Sequence, residues 1–215
     1  MTIKWRIGRG ATLLTLIMSL LVSTSCGDVS RTGRAPAFLV IDFMKAASGA
    51  QTGQFGDALQ SDVVTDGSVF EDLGQVQVRV LLKDQGNPGA TAGPSNLNWL
   101  KITRYRVVYR RADGRNMPGV DVPYPFDGAV TMTVTNQPQF LSFTLVRAQA
   151  KVEAPLFALR SSASSAFGGG AMVISTIADV TFYGDDLTGN GFQGSGSISV
   201  HFADWADPAG GSEGS

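Results

Sequence analysis

The sequence has very little of two residue types on which many metal and redox sites depend. Among its 215 residues there is a single cysteine, Cys26, and a single histidine, His201. One cysteine cannot form a disulfide within the chain. One histidine with no further cysteine leaves few ligands for a zinc or redox-metal site. We therefore predict no catalytic residues and no metal or other cofactor from these residue types.

Charge is also scarce. Asp, Glu, Lys and Arg together make up 16% of the chain, against about a quarter in an average globular protein. After residue 26 the chain carries 14 basic and 18 acidic side chains, spread along its length. A dispersed and mildly acidic surface is not the footprint of a nucleic-acid-binding protein. We therefore expect no nucleic-acid partner.

The N-terminal residues have the layout of a secretory signal. Residues 1–9 carry three basic side chains and no acid, and residues 11–22 form an apolar run. Twelve residues span about 18 Å as a helix, too short for a hydrocarbon core of about 30 Å. Small residues at 23–25 then precede Cys26.

With a small residue directly before this cysteine, residues 1–26 resemble a bacterial lipoprotein signal peptide. The resemblance implies that Cys26 becomes the lipid-modified N-terminus, so that the protein is anchored to a membrane of the bacterial cell envelope. An ordinary signal peptide cleaved near Ser25 is the alternative, and it would leave Cys26 as a free thiol.

This reading divides the chain into four parts. Residues 1–25 are the predicted signal peptide, and residues 26–36 are the lipidated N-terminus with a flexible tether, which is small, polar and interrupted by Pro36. Residues 37–207 are predicted to form one domain. Residues 208–215, rich in Gly and Ser, are predicted to be a disordered tail.

Beyond residue 37 the apolar residues recur with a period of two, which is typical of strands with one buried face. In the segment 102–111, Tyr105, Val107 and Tyr109 share one side, and three arginines share the other. The same alternation runs through 75–82, 130–135 and 141–145, and further strands are predicted at 38–44, 59–65, 172–183 and 192–203. A short helical turn is expected within 154–162.

About seven or eight strands separated by Gly- and Pro-rich segments predict an all-β fold, an antiparallel β-sandwich. Three long connections are expected at residues 84–98, 112–128 and 161–171. In the hairpin 178–202, Val180 and Phe182 are predicted to lie in the core, together with Phe202.

Two segments carry a further resemblance. "YRVVYR" at 105–110 looks like the C strand of an immunoglobulin-like or fibronectin type III domain, and "VTFYGDDLTGN" at 180–190 is similar to the F–G region of bacterial members. The mature part also resembles uncharacterised bacterial lipoproteins. The resemblance implies an immunoglobulin-like sandwich and carries no activity with it, because these motifs are structural.

A few residues are candidates for a functional site. Asp185 and Asp186 stand beside a Gly-Asn turn, and loop carboxylates of this kind are weak candidates for a calcium site. They could equally well cap and solvate the hairpin. His201 shares its strand face with serines, so we expect it to face solvent.

The arginine row, which we define as Arg104, Arg106 and Arg110, is the most suggestive surface feature. Guanidinium groups two residues apart on a strand project to the same side, where they could bind an anionic glycan or an acidic partner. A solvated sheet face whose charges are balanced by neighbouring acids is the alternative. Tyr124 and Phe126, in a proline-rich loop, are candidates for a contact surface, or they simply cover the end of the sandwich.

These observations predict a membrane-anchored envelope lipoprotein that acts as a non-enzymatic binding or structural module. Its expected partners are the membrane, through the lipid anchor, and an envelope protein or anionic glycan. The alternative is an envelope hydrolase that acts on glycans or peptides with loop carboxylates. That alternative requires either Asp113, Asp121 and Asp127, or Asp185 and Asp186, to converge in one concave pocket.

Overall fold

The structure is a computed structural model, and it describes residues 35–83, 95–160 and 173–205. Within these ranges the chain forms eight strands and one short α-helix. Two 3-10 turns, Asn96–Asn98 and Leu156–Leu159, complete the secondary structure. The strands and the helix are β1 (Ala37–Ala47), β2 (Ala58–Asp62), β3 (Asp72–Leu82), β4 (Leu100–Arg110), β5 (Phe126–Val134), β6 (Gln139–Val146), α1 (Ala148–Lys151), β7 (Ile174–Asp186) and β8 (Gly191–Ala203).

The strands form two sheets. The small sheet has the order β1-β3-β6, and the large sheet has the order β2-β8-β7-β4-β5. Buried side chains from both sheets pack into one hydrophobic core between them. The prediction of an all-β sandwich with seven or eight strands is therefore confirmed.

The strand order brings together the two segments that resemble an immunoglobulin-like domain. Strand β4 pairs antiparallel with β7, and β7 pairs antiparallel with β8. The C, F and G strands of immunoglobulin sandwiches share a sheet in the same way. All the predicted strands are present, and the helical turn expected within 154–162 is the 3-10 turn at Leu156–Leu159.

Two details differ from the prediction. Strand β2 pairs with β8 in parallel, so the large sheet is mixed rather than purely antiparallel. The strand predicted at 59–65 ends at Asp62. Its carboxylate accepts hydrogen bonds from the Val64 amide and the Thr65 hydroxyl, a local arrangement that turns the chain out of the strand.

Several predictions fall outside the described residues. These are the signal peptide, Cys26 and the tether as far as residue 34, residues 84–94 of the connection at 84–98, the whole connection at 161–171, and the tail at 208–215. Among the described residues, no helix is both long enough and apolar enough to cross a membrane.

The two sheets are joined by a cluster of aromatic rings. Tyr105 of the large sheet meets Phe143 of the small sheet with ring centroids 5.1 Å apart, and Phe143 meets Phe182 edge-on at 5.3 Å. Both contacts have the tilted geometry that the ring quadrupole favours. The predicted core positions are confirmed, since Val180, Phe182 and Phe202 are all fully buried.

Two glycines make room for these rings. A Cβ atom at Gly128 would lie 2.2 Å from the Tyr105 ring, and one at Gly74 would lie 2.5 Å from the Phe143 ring. Any other residue would force the rings to move. Both glycines are therefore packing positions within strands, where glycine is otherwise unfavourable.

A buried ion pair lies at one end of the core. The Lys151 ammonium of α1 donates to the Asp72 carboxylate of β3 at 2.9 Å, and the two side chains are 1% and 0% exposed. Asp72 also accepts hydrogen bonds from the Ser61 hydroxyl at 2.6 Å and the Gly49 amide at 3.0 Å. Burial raises the pKa of Asp72, against the opposing effects of Lys151 and these hydrogen bonds. The carboxylate therefore connects α1, β2, β3 and the β1–β2 loop.

Removing one charge of this pair should destabilise the fold strongly. Lys151→Met leaves a buried carboxylate without its counter-ion, and Asp72→Asn leaves a buried ammonium. We expect each substitution to lower the free energy of unfolding by about 3–5 kcal/mol. The double variant, Lys151→Met with Asp72→Asn, should lose less free energy of unfolding than the two single variants together, because no buried charge is then left without a partner. Urea unfolding of the four proteins measures this coupling.

An exposed pair provides the matched control. Arg79 and Asp42 lie 2.9 Å apart on the surface, so Arg79→Met should cost no more than about 1 kcal/mol. If Lys151→Met were as mild as this control, the buried pair would not have the structural role described here.

Candidate functional site

The arginine row lies on the outer face of the large sheet, as predicted, but its charges are paired. Arg104 and Arg106 both contact Asp127, with nitrogen–oxygen distances of 3.3 and 3.2 Å. Arg110 forms an ion pair with Asp179 of the neighbouring strand. Three guanidinium groups thus face two carboxylates, and most of the positive charge of the row is neutralised.

The other loop carboxylates are also engaged, each in its own place. Asp113 pairs with Arg111 and Arg115, and the hydrogen bond from Arg111 holds the pKa of Asp113 well below its usual range. Asp121 accepts a hydrogen bond from the Met117 amide. In the described part of the chain, no three His, Cys, Asp or Glu side chains come close enough to hold a metal ion.

The two calcium candidates differ in their surroundings. Asp185 is exposed, whereas Asp186 is buried. Asp186 accepts hydrogen bonds from the amides and side chains of Thr188 and Asn190, at 2.7–3.0 Å. Partial burial raises the pKa of Asp186, but these hydrogen bonds outweigh it and the pKa lies below its usual value. Asp186 therefore organises the β7–β8 turn, and the geometry lends no support to calcium binding.

The two aromatic candidates of the proline-rich loop also separate. The Tyr124 side chain is 53% exposed and Phe126 is 7% exposed. Phe126 packs edge-on against Tyr105, and the Arg147 guanidinium lies 4.5 Å from its ring centre. The Phe126 ring belongs to the core, which agrees with the alternative that it covers the end of the sandwich and leaves it little surface for a contact. Tyr124 remains on the surface.

A cleft that we did not predict lies between the β1–β2 loop, β2 and the end of β8. It consists of two adjoining cavities of about 340 and 120 Å³ that share Ser48, Gln51 and Gln60. Gln54 and His201 border the larger cavity, and Trp205 borders the smaller. We call this the amide-lined cleft.

The amide-lined cleft offers hydrogen-bonding groups with little charge. Among the described residues, no Lys or Arg borders either cavity. Its carboxylate, Asp62, already accepts hydrogen bonds from the Val64 and Trp205 amides and the Thr65 hydroxyl. The Trp205 indole nitrogen is buried and has no hydrogen-bond partner among the described residues. Such a lining suits an uncharged ligand with many hydrogen-bonding groups.

His201 lies partly exposed at the cleft, with its Nδ1 atom 3.0 Å from the Ser175 hydroxyl. The prediction that it faces away from the core is confirmed. One feature of the sequence could have indicated the cleft, namely the three glutamines in "QTGQFGDALQ" at 51–60. The glutamines alone do not predict a cleft, because they reach His201 only through the pairing of β2 with β8.

The outer face of the small sheet differs from that of the large sheet. It exposes four apolar side chains, and we call the surface that they form the aromatic face. Phe43 and Phe140 are in ring contact at 5.9 Å across this face. The four are Phe38, Phe43, Leu81 and Phe140, which are 54%, 37%, 37% and 56% exposed.

No protein-family model matches the chain, and a search of curated protein sequences gave no match. The site must therefore be interpreted from its own geometry.

The pairing of the arginine row leads to a test. If Asp127 and Asp179 neutralise the row, Asp127→Asn with Asp179→Asn should strengthen retention on an immobilised anionic polysaccharide. The gain should disappear between about 0.1 M and 1 M salt, where the Debye length falls from about 10 Å to about 3 Å. Elution from the column in a salt gradient measures the gain.

The control for this test is Asp42→Asn, which also removes one exposed ion-paired carboxylate but lies on the small sheet. It should change elution less than the double variant does. Equal elution of the wild type and the double variant would show that the row does not act as a basic surface even when its charges are released.

Proposed function

We propose that the chain is a membrane-anchored envelope lipoprotein in which Cys26 carries the lipid and the sandwich is a non-enzymatic binding module. We further propose that the amide-lined cleft binds the uncharged amide and hydroxyl groups of a cell-wall polymer. The anchor rests on the sequence of residues 1–26, and the binding role rests on the cleft.

The support for the anchor is the order of features before the sandwich. A basic segment, an apolar run too short to span a bilayer and a set of small residues precede the single cysteine of the chain. This resembles the signal peptide of a bacterial lipoprotein. A chain without any other cysteine has no disulfide partner for this thiol, so acylation gives Cys26 a role.

The support for the binding role is the lining of the cleft. Each glutamine amide both donates and accepts hydrogen bonds, and Gln51, Gln54 and Gln60 converge there. A ligand with alternating donors and acceptors satisfies such groups. An anion finds no Lys or Arg among the described residues of the lining, and the one carboxylate there, Asp62, already accepts hydrogen bonds from Val64, Thr65 and Trp205. The hydrolase alternative has less support, because the carboxylates at 113, 121, 127 and 186 are each bound to partners of their own.

The anchor can be tested by metabolic labelling. Cys26→Ala should abolish incorporation of a palmitate analogue and block processing of the signal peptide, because the acylated sulfur is lost. Ser25→Ala is the matched control, since it keeps a small residue directly before Cys26 and should be labelled normally. Equal labelling of wild type and Cys26→Ala would contradict the lipoprotein assignment.

The cleft can be tested with purified cell-wall sacculi as the probe. Gln51→Ala combined with Gln60→Ala removes two amides, each worth about 0.5–1.5 kcal/mol in hydrogen bonding. We expect co-sedimentation to weaken by roughly tenfold or more, since 1.4 kcal/mol corresponds to a factor of ten.

Gln193→Ala provides the control for the cleft, because Gln193 is an exposed glutamine outside the cleft, on β8. Its binding to sacculi should match that of the wild type. A wild-type protein that stays in the supernatant, or a double variant that sediments as well as the wild type, would rule out this ligand for the cleft.

A further inference from the structure

We propose that the aromatic face of the small sheet lies against the lipid surface that carries the anchor. This inference rests on the proposed lipid anchor at Cys26, and it assigns a role to a face that the cleft does not use.

The chemistry of the aromatic face sets it apart from the rest of the sandwich. Three phenylalanines and a leucine on this face keep between 37% and 56% of their surface exposed. The outer face of the small sheet also carries one ion pair, Arg79–Asp42. The outer face of the large sheet carries the paired charges of the arginine row and the hydroxyl pair Thr181–Ser195 at 3.1 Å. Phe43 and Phe140 are in ring contact, and Phe38 and Leu81 are neighbours in the register of the same face. Exposed apolar groups clustered in this way mark an interaction surface.

The groups around the aromatic face fit the region between lipid headgroups and acyl chains. The Lys83 ammonium lies 5.0 Å from the ring centre of Phe38, and the Lys45 ammonium lies 5.6 Å from that of Phe43. A lysine beside an exposed ring can place its stem along the apolar surface and its charge at the phosphates. Basic side chains at a membrane surface are attracted by anionic lipids.

The area of the aromatic face argues for a membrane over a protein partner. Four half-exposed apolar side chains offer roughly 400 Å², about half of the 800 Å² that each partner contributes to a stable protein interface. A surface of this size binds weakly by itself. Its contribution to membrane binding becomes significant when a lipid chain already holds the protein at the bilayer, because two weak attachments to the same membrane together bind more tightly than either alone.

The position of the face fits this arrangement. Phe38 is the second residue of β1, the first strand of the domain. It lies twelve residues after Cys26, and at about 3.3–3.6 Å per residue this span cannot exceed roughly 40 Å. The lipid anchor therefore holds the start of β1 within roughly 40 Å of the bilayer, which is short enough for the aromatic face to reach the lipid surface.

The experiment uses the lipidated protein in vesicles of phosphatidylcholine and phosphatidylglycerol. Because acylation consumes Cys26, a single introduced cysteine can be labelled with a polarity-sensitive fluorophore. Ser142→Cys places the label on the outer face of the small sheet, and Ser195→Cys places it on the outer face of the large sheet; both positions are exposed. Quenching by lipids that carry a nitroxide near the headgroup then reports contact with the bilayer.

We expect a blue-shifted emission at position 142 and quenching about twofold or more stronger than at position 195, as for a surface that enters the headgroup region. Phe43→Ser with Phe140→Ser should bring the quenching at 142 down to the value at 195. The control Val108→Ser removes an exposed apolar residue of the large sheet and should change neither label.

The outcomes separate the two proposals. If the labelled protein does not float with the vesicles, the lipid anchor is wrong, and the membrane is then excluded as the occupant of the face. If it floats but the two positions are quenched equally, the anchor stands and the inference is overturned. A blue shift at 142 without quenching by the lipid nitroxide would show that protein covers the face, which also overturns it.

Discussion

The fold depends on one buried carboxylate of β3 that binds three other segments of the chain. The Asp72 carboxylate accepts hydrogen bonds from the Lys151 ammonium, the Ser61 hydroxyl and the Gly49 amide, each with a donor–acceptor distance of at most 3.0 Å. Removing a charge from water is costly unless these partners are all in place. The β1–β2 loop, β2 and α1 therefore hold their positions on β3 together. The amide-lined cleft depends on this, since Ser48 and Gln51 lie in the loop and Gln60 lies in β2.

The aromatic cluster and the ion pair act in different ways. The rings of Tyr105, Phe143 and Phe182 contribute the larger apolar area and hold the two sheets together, which is where most of the favourable free energy of a sandwich comes from. The pair of Asp72 and Lys151 adds less net stability, because its desolvation opposes its attraction. Its effect is to lower the free energy of one arrangement of the segments relative to others, because any other arrangement leaves a buried charge without its partner.

The two outer faces show how a small sandwich can have distinct surfaces. On the large sheet, acids on neighbouring strands match the arginine row, so that face remains solvated and nearly neutral. On the small sheet, Phe43 and Phe140 contact each other across Gln77, which pairs with both residues in the register. A ligand in the cleft and a lipid surface at the aromatic face would therefore occupy different parts of the domain.

The sequence by itself determined the strands and their buried faces, because alternation such as that of Tyr105, Val107 and Tyr109 is a local property of one strand. It also predicted the β7–β8 hairpin and the outward face of the arginine row. The tertiary structure decided everything that depends on which strands are neighbours. Asp127 and Asp179 neutralise the arginines across strands, Phe126 turns into the core, and the glutamines of 51–60 meet His201. These contacts join residues between 20 and 150 positions apart, and no local pattern in the chain encodes them.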